Sequence, residues 1–166
     1  MSPQIVLVGV SGAGKTTVGR LLASRLSVPF LDTDEDIEQA AGKPIPDIFV
    51  DDGEPAFRSM ERAAVARALV EHDGVLALGG GSVMDASTRQ RMVGHHVVFL
   101  DVGLTEAVAR IGLNRDRPLL LANPRATLKR MIEERRPYYA EVATSTVNTS
   151  IRTPDEVVEA VLVGVR

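Results

Sequence analysis

Short apolar runs alternate with stretches of helical periodicity along the whole chain. Ile5-Val6-Leu7-Val8 is a continuous apolar run, rich in β-branched residues, as a strand buried on both faces would be. After a glycine-rich turn, Val18, Leu21, Leu22 and Leu26 recur at helical spacing. Pro29-Phe30-Leu31 reads as a second strand that ends at Asp32. Acids at 34–36 suit the first turn of a helix running to about Ala41, with Gly42 as its cap. A short helix is predicted over Pro46 to Val50. A longer one covers Glu54 to about Glu71, with Phe57, Met60, Ala64 and Ala68 on one face. Val75-Leu76-Ala77-Leu78 is a third strand, followed by three glycines. Helix over Ala86 to Val93, strand over Val97 to Leu100 and helix over Thr105 to Ile111 come next. A polar stretch with breakers, 112–118, interrupts the pattern. Helix is predicted again over Pro124 to Arg135 and, past Pro137, over Tyr138 to Ala143. Thr146-Val147-Asn148 makes a fifth strand, and Pro154 to Val163 an amphipathic helix.

Strands separated by helices predict an α/β fold: a five-stranded parallel sheet with helices on both faces. In such folds ligands gather at the carboxyl ends of the strands. Gly9, Asp32, Gly79 and Asp101 are all expected there. With 166 residues and no linker or repeat, one domain is expected, 1–166. Composition changes this picture little. The chain is 45% hydrophobic and 25% charged, as globular domains are. A net charge of -3 argues against nucleic acid or an acidic membrane as the main partner. The absence of cysteine excludes disulfides and thiolate chemistry and suits a cytoplasmic setting. No signal peptide is recognised, and no apolar run approaches the ~20 residues of a membrane span.

The chemistry is concentrated after the first strand. Gly9-Val10-Ser11-Gly12-Ala13-Gly14-Lys15-Thr16 fits G-x-x-x-x-G-K-[ST] in full, between a predicted strand and a predicted helix. That context makes a phosphate cradle: glycines let backbone N–H groups converge, and the helix start adds unpaired donors. Gly12, Ala13, Gly14, Lys15, Thr16 and Thr17 are therefore candidate nucleotide-binding residues. Lys15 would reach the outer phosphates, and the Thr16 hydroxyl would ligate magnesium.

Three further groups stand out, each with a plainer alternative. Asp32 and Asp34 are spaced to serve a magnesium-bound water and an acceptor hydroxyl, or else are a helix cap and a solvated acid. Arg58 and Glu61 share a helix face, so that Glu61 positions Arg58, or else they form a surface ion pair. Gly79-Gly80-Gly81 would bring backbone N–H groups against a bound molecule, or else is a loose turn.

Taken together, GVSGAGKTT, LDTDEDIE, FRSME, LALGGGSV, RDRPLL and RRPYY resemble the shikimate kinase family along nearly the whole chain. The resemblance implies a three-layer P-loop kinase that moves the γ-phosphate of MgATP to the 3-hydroxyl of shikimate, in aromatic amino-acid biosynthesis. It implies that Asp34, Arg58, Arg135 and the glycines at 79–81 hold shikimate, within a substrate-binding region of about 33–61. In the R-x-P-x-Y pattern Arg135 takes the role, with Arg136 as its neighbouring competitor. Arg117 matches the arginine of a lid at about 112–124. Arg110 and Pro154 match residues flanking the adenine, Arg152 another nucleotide contact, and Asp32 the acid that orients magnesium through water. A monomer is expected.

Guanidinium forks suit a carboxylated acceptor, since arginine grips a carboxylate through two parallel hydrogen bonds. This favours shikimate over the acceptors of a gluconate or nucleoside monophosphate kinase. A GTP-binding switch would need N-K-x-D and D-x-x-G, and neither string occurs. A non-enzymatic nucleotide-binding module would bind nucleotide without acceptor-dependent turnover. His72, His95 and His96 have no metal-ligand spacing, and Tyr138 and Tyr139 are expected to pack a helix against the core.

Overall fold

The computed structural model describes residues 2–111 and 123–165. In chain order the elements are β1 (Ile5–Val8), α1 (Lys15–Leu26), β2 (Phe30–Asp32), α2 (Thr33–Ala41), α3 (Ile45–Asp51), α4 (Glu54–Glu71) and β3 (Val75–Ala77). A 3-10 turn (Ser82–Met84) leads to α5 (Ala86–Arg91), β4 (Val97–Asp101), α6 (Leu104–Ile111), α7 (Pro124–Val142), β5 (Ser145–Asn148) and α8 (Pro154–Val165). The five strands form one parallel sheet in the order β2-β3-β1-β4-β5. The chain steps from β1 past β3 to the sheet edge, then works back and across to β5. The order therefore reverses at β1, the kind of place where open α/β sheets bind ligands. Right-handed crossovers put α1 on one face and α4, α5 and α7 on the other, and α8 packs on α1.

Every residue of β1 and β3 is buried, as the continuous apolar runs require of strands covered on both faces. Leu22 of α1, Val65 of α4, Leu128 and Tyr139 of α7 and Val158 of α8 complete this core. A second, smaller cluster lies apart from it. Ile37, Ile48, Phe57 and Ala64 are its buried members, with the Phe49 ring tilted against Phe57 at a centroid distance of 4.9 Å. It holds α2, α3 and the first half of α4 together beside the β2 edge. No helix among the described residues is long and apolar enough to cross a membrane.

One element differs from the sequence expectation. α7 runs without a break through Pro137, where a boundary was expected. Proline removes one helical hydrogen bond and crowds the preceding turn. Leu128, Ile132 and Tyr139 are buried on both sides of it, and packing along the sheet keeps the helix whole.

Candidate active site

The turn after β1 carries the phosphate loop to the start of α1. Gly14 caps that helix at φ 90°, a left-handed conformation that favours glycine. No side chain caps the helix and no acid stands in its first turn, so its free N–H groups and positive end are left for an anion. Lys15 Nζ donates to the carbonyls of Gly9 (2.6 Å) and Val10 (3.1 Å), which keeps the ammonium at the mouth of the loop. Arg110, on α6, donates to the carbonyl of Gly12 (2.9 Å) and to Thr149 O (3.0 Å). It thereby ties the loop to the segment before α8. There Arg152 donates to Asn148 O (2.7 Å), and Pro154 opens the helix. A cleft of about 360 Å³ runs from the loop toward the glycines after β3. Thr16, Thr17, Asp32, Asp34, Gly80 and Arg110 are among its walls.

Asp32 ends β2 and serves two neighbours. One carboxylate oxygen accepts from the backbone of Asp34 (2.9 Å) and caps α2, while the other accepts from Thr16 Oγ1 (2.8 Å). A hydroxyl and a carboxylate meeting beside a phosphate loop form a hard-oxygen pair. That suits Mg²⁺, which takes few protein oxygens and completes its octahedron with phosphate and water. Among the described residues, no group of three or more His, Cys, Asp or Glu side chains could hold a metal ion.

The pocket beside the cleft is assembled from distant parts of the chain. Gly79 lies between two carboxylates: a Cβ there would stand 2.5 Å from Asp34 Oδ1 and 2.8 Å from Glu61 Oε2. A Cβ on Gly80 would stand 3.2 Å from Arg135 Nη1, and one on Gly81 would strike the Arg58 guanidinium. The three glycines are therefore contact surfaces for two acids and two arginines rather than a loose turn. Arg58 Nη1 bonds Glu61 Oε1 at 2.8 Å, and Glu54 approaches Arg58 Nε at 3.5 Å. Glu61 is only 3% exposed, so the pair is no surface bridge. Burial pushes the Glu61 carboxyl above its ordinary value, against the opposing pull of Arg58 and Arg135.

The two candidate arginines of α7 part company. Arg135 is buried over Gly80. Arg136 is half exposed and pairs with Asp101 at the end of β4, at 3.1 and 3.3 Å. Arg117 and the rest of 112–122 lie outside the described residues.

Sequence reasoning missed the side chains that fix the glycine turn. Thr33 Oγ1 accepts from Gly79 N (3.1 Å), Ser82 Oγ donates to Gly79 O (2.7 Å), and Tyr139 Oη donates to Gly80 O (2.6 Å). A usable signal existed for one of them. Tyr139 stands four residues after Arg135, one turn along the same helix face.

A family model described as Shikimate kinase matches residues 11–165. The chain is 60% identical to a shikimate kinase of Salinispora tropica, over 94% of this chain and 93% of that one. Its structure resembles that of "Shikimate kinase from Acinetobacter baumannii in complex with shikimate", with a TM-score of 0.92 and 36% identity. That match covers 98% of this chain and 91% of the other. A gluconokinase from Sinorhizobium meliloti matches at a TM-score of 0.62 and 24% identity, over 99% of this chain and 91% of the other. At that identity the likeness is one of fold.

Proposed function

The chain belongs to the shikimate kinase family, and on that premise we propose how its residues divide the work of moving a phosphoryl group from ATP to shikimate. It is an ATP-dependent phosphotransferase of aromatic amino-acid biosynthesis, with shikimate as acceptor. The residue roles that follow, the magnesium ion, a cytoplasmic setting and a monomeric state are our proposal.

The observation that carries it is the convergence on the glycine turn. Two guanidinium groups, Arg58 and Arg135, lie against Gly81 and Gly80, and the Asp34 carboxylate lies against Gly79, next to the phosphate loop. A small acid bearing a ring hydroxyl has matching needs. Its carboxylate takes bidentate hydrogen bonds from guanidinium, and its reacting alcohol needs an acceptor such as Asp34. Glu61 positions Arg58 through the 2.8 Å pair. The burial of Arg135, against the pairing of Arg136 with Asp101, supports Arg135 as the second arginine. The region of about 33–61 then forms one side of the acceptor pocket.

Phosphoryl transfer proceeds through a loose transition state, so the protein's tasks are positioning and charge stabilisation. Asp34 orients the 3-hydroxyl toward the γ-phosphate and accepts its proton as the new bond forms. Lys15 and the N–H groups of the phosphate loop stabilise charge on the transferring oxygens, joined by Arg117 from the lid at about 112–124. Thr16 and Asp32 fit Mg²⁺, which bound with ATP would neutralise charge between the β- and γ-phosphates. Arg110 and Pro154 flank the nucleotide base and Arg152 makes another nucleotide contact, and the link from Arg110 to Gly12 and Thr149 supports the placement of Arg110.

The test is ADP release with shikimate, with shikimate lacking the 3-hydroxyl, with an analogue lacking the carboxyl group, and with gluconate. Turnover is expected with shikimate. None is expected with the deoxy compound or gluconate, and KM should be strongly raised for the analogue without its acid. Equal turnover with gluconate, or indifference to the missing carboxyl group, would overturn the assignment.

A further inference from the structure

Tyr139 does two things at once. Its ring is 1% exposed and stacks on Phe99 at a centroid distance of 5.0 Å, as a core residue should. Its hydroxyl extends beyond that apolar layer and donates to Gly80 O at 2.6 Å. Burial pushes the phenol up to about 12, with Arg135 pulling the other way, so it remains a donor at any working pH. Arg135, one turn earlier on the same helix, lies against the same glycine.

The carbonyl concerned belongs to the peptide joining Gly80 to Gly81. Two flanking glycines make rotation of that peptide plane easy, because neither residue has a Cβ to bar the alternative dihedrals. In a trans peptide the N–H points opposite to the C=O. Fixing Gly80 O toward α7 therefore fixes Gly81 N–H away from α7, at a residue whose Cα packs beneath the Arg58 guanidinium. The preceding peptide is fixed separately, through Ser82 Oγ on Gly79 O.

We propose that Tyr139 is a positioning residue for the acceptor: its hydroxyl prevents the Gly80–Gly81 peptide from flipping and keeps Gly81 N–H aimed with Arg58 and Arg135 at the substrate. This rests on the acceptor pocket proposed above. The tyrosine does not touch substrate; it acts through the peptide it holds.

The experiment pairs Tyr139→Phe with Arg135→Lys. Tyr139→Phe keeps the stacked ring and removes the hydroxyl, with its bond to Gly80 O and its interaction with Arg135. It should raise the KM for shikimate about tenfold, the scale of one such bond. The KM for ATP should be unchanged and kcat should stay within about threefold. Loss of thermal stability with an unchanged shikimate KM would mean a purely structural tyrosine and would overturn the proposal. If Arg135→Lys also leaves the shikimate KM unchanged, it is the acceptor pocket that fails. If Arg135→Lys raises it and Tyr139→Phe does not, the positioning role alone fails.

A second measurement avoids any risk to folding. The chain has two tyrosines, so fluorotyrosine labelling gives two fluorine resonances, assigned with Tyr138→Phe. Shikimate should shift the resonance of residue 139. A signal indifferent to saturating shikimate would overturn the proposal.

Discussion

The phosphate loop takes its binding groups from consecutive residues, 9–17, whereas the proposed acceptor pocket collects Asp34, Arg58, Glu61, three glycines and Arg135 from separate elements. The first is a backbone device. Its donors are N–H groups, and its geometry follows from three glycines at positive φ, Gly9, Gly12 and Gly14, and one helix start. The second is a side-chain device. Its geometry depends on burial, on contacts across the fold and on a turn whose peptides other residues hold in place. Local devices survive as long as the strand and helix form. Assembled ones fail when any single supporting contact is lost.

Substitutions on the two sides should therefore fail differently. The largest effect is expected from Lys15→Ala. Loss of a charge aimed at the transferring group should lower kcat by about 10²–10³-fold or more. Affinity for shikimate and melting temperature should barely change, because the Lys15 ammonium is held at the phosphate loop, where it donates to Gly9 O and Val10 O. Calorimetric titration with shikimate alone would check this, and a lost shikimate affinity would show that the two sides are not separate.

Gly79→Ala should act in the opposite sense. The added Cβ meets Asp34 Oδ1 and Glu61 Oε2 well inside contact distance. Overpacking of that kind costs about 1–3 kcal/mol. The expected result is a fall of about 10- to 100-fold in kcat/KM for shikimate, with ATP affinity unchanged. A variant with normal shikimate kinetics would mean that the turn yields freely and the pocket is not rigid.

The smallest effect is one of pH. The Glu61 carboxyl is raised above 4.5 in the fold, so the folded state binds more protons than the unfolded chain as pH rises from about that value. This group therefore contributes stability below the unfolded value, and that contribution is lost as pH rises through the folded one. Glu61→Gln should remove this component. Melting temperatures of the two proteins measured across that window should differ in slope, and parallel curves would show that Arg58 fully offsets the burial.

The same contrast explains what was legible beforehand. The sheet, the strand ends and the phosphate loop followed from runs of neighbouring residues, since period and motif are local properties. The resemblance of scattered segments brought Asp34, Arg58 and Arg135 together in expectation, but the chain's own pattern could not. Arg58 and Glu61 read equally well as a surface pair, because nothing in FRSME reveals that Glu61 is covered. Pro137 read as a break because local rules count a missing hydrogen bond and not the burial of Tyr139. Two of the three contacts holding the glycine turn join residues 46 and 59 positions apart, beyond the reach of any periodicity.

The small cluster of Ile37, Ile48, Phe57 and Ala64 has a practical corollary. It packs α2, α3 and the start of α4 around their own apolar centre, apart from the one that buries the strands. Under the proposed division of labour, this stretch is a cassette. Designers seeking a kinase for a different alcohol could redraw it while leaving the engine that handles the nucleotide untouched.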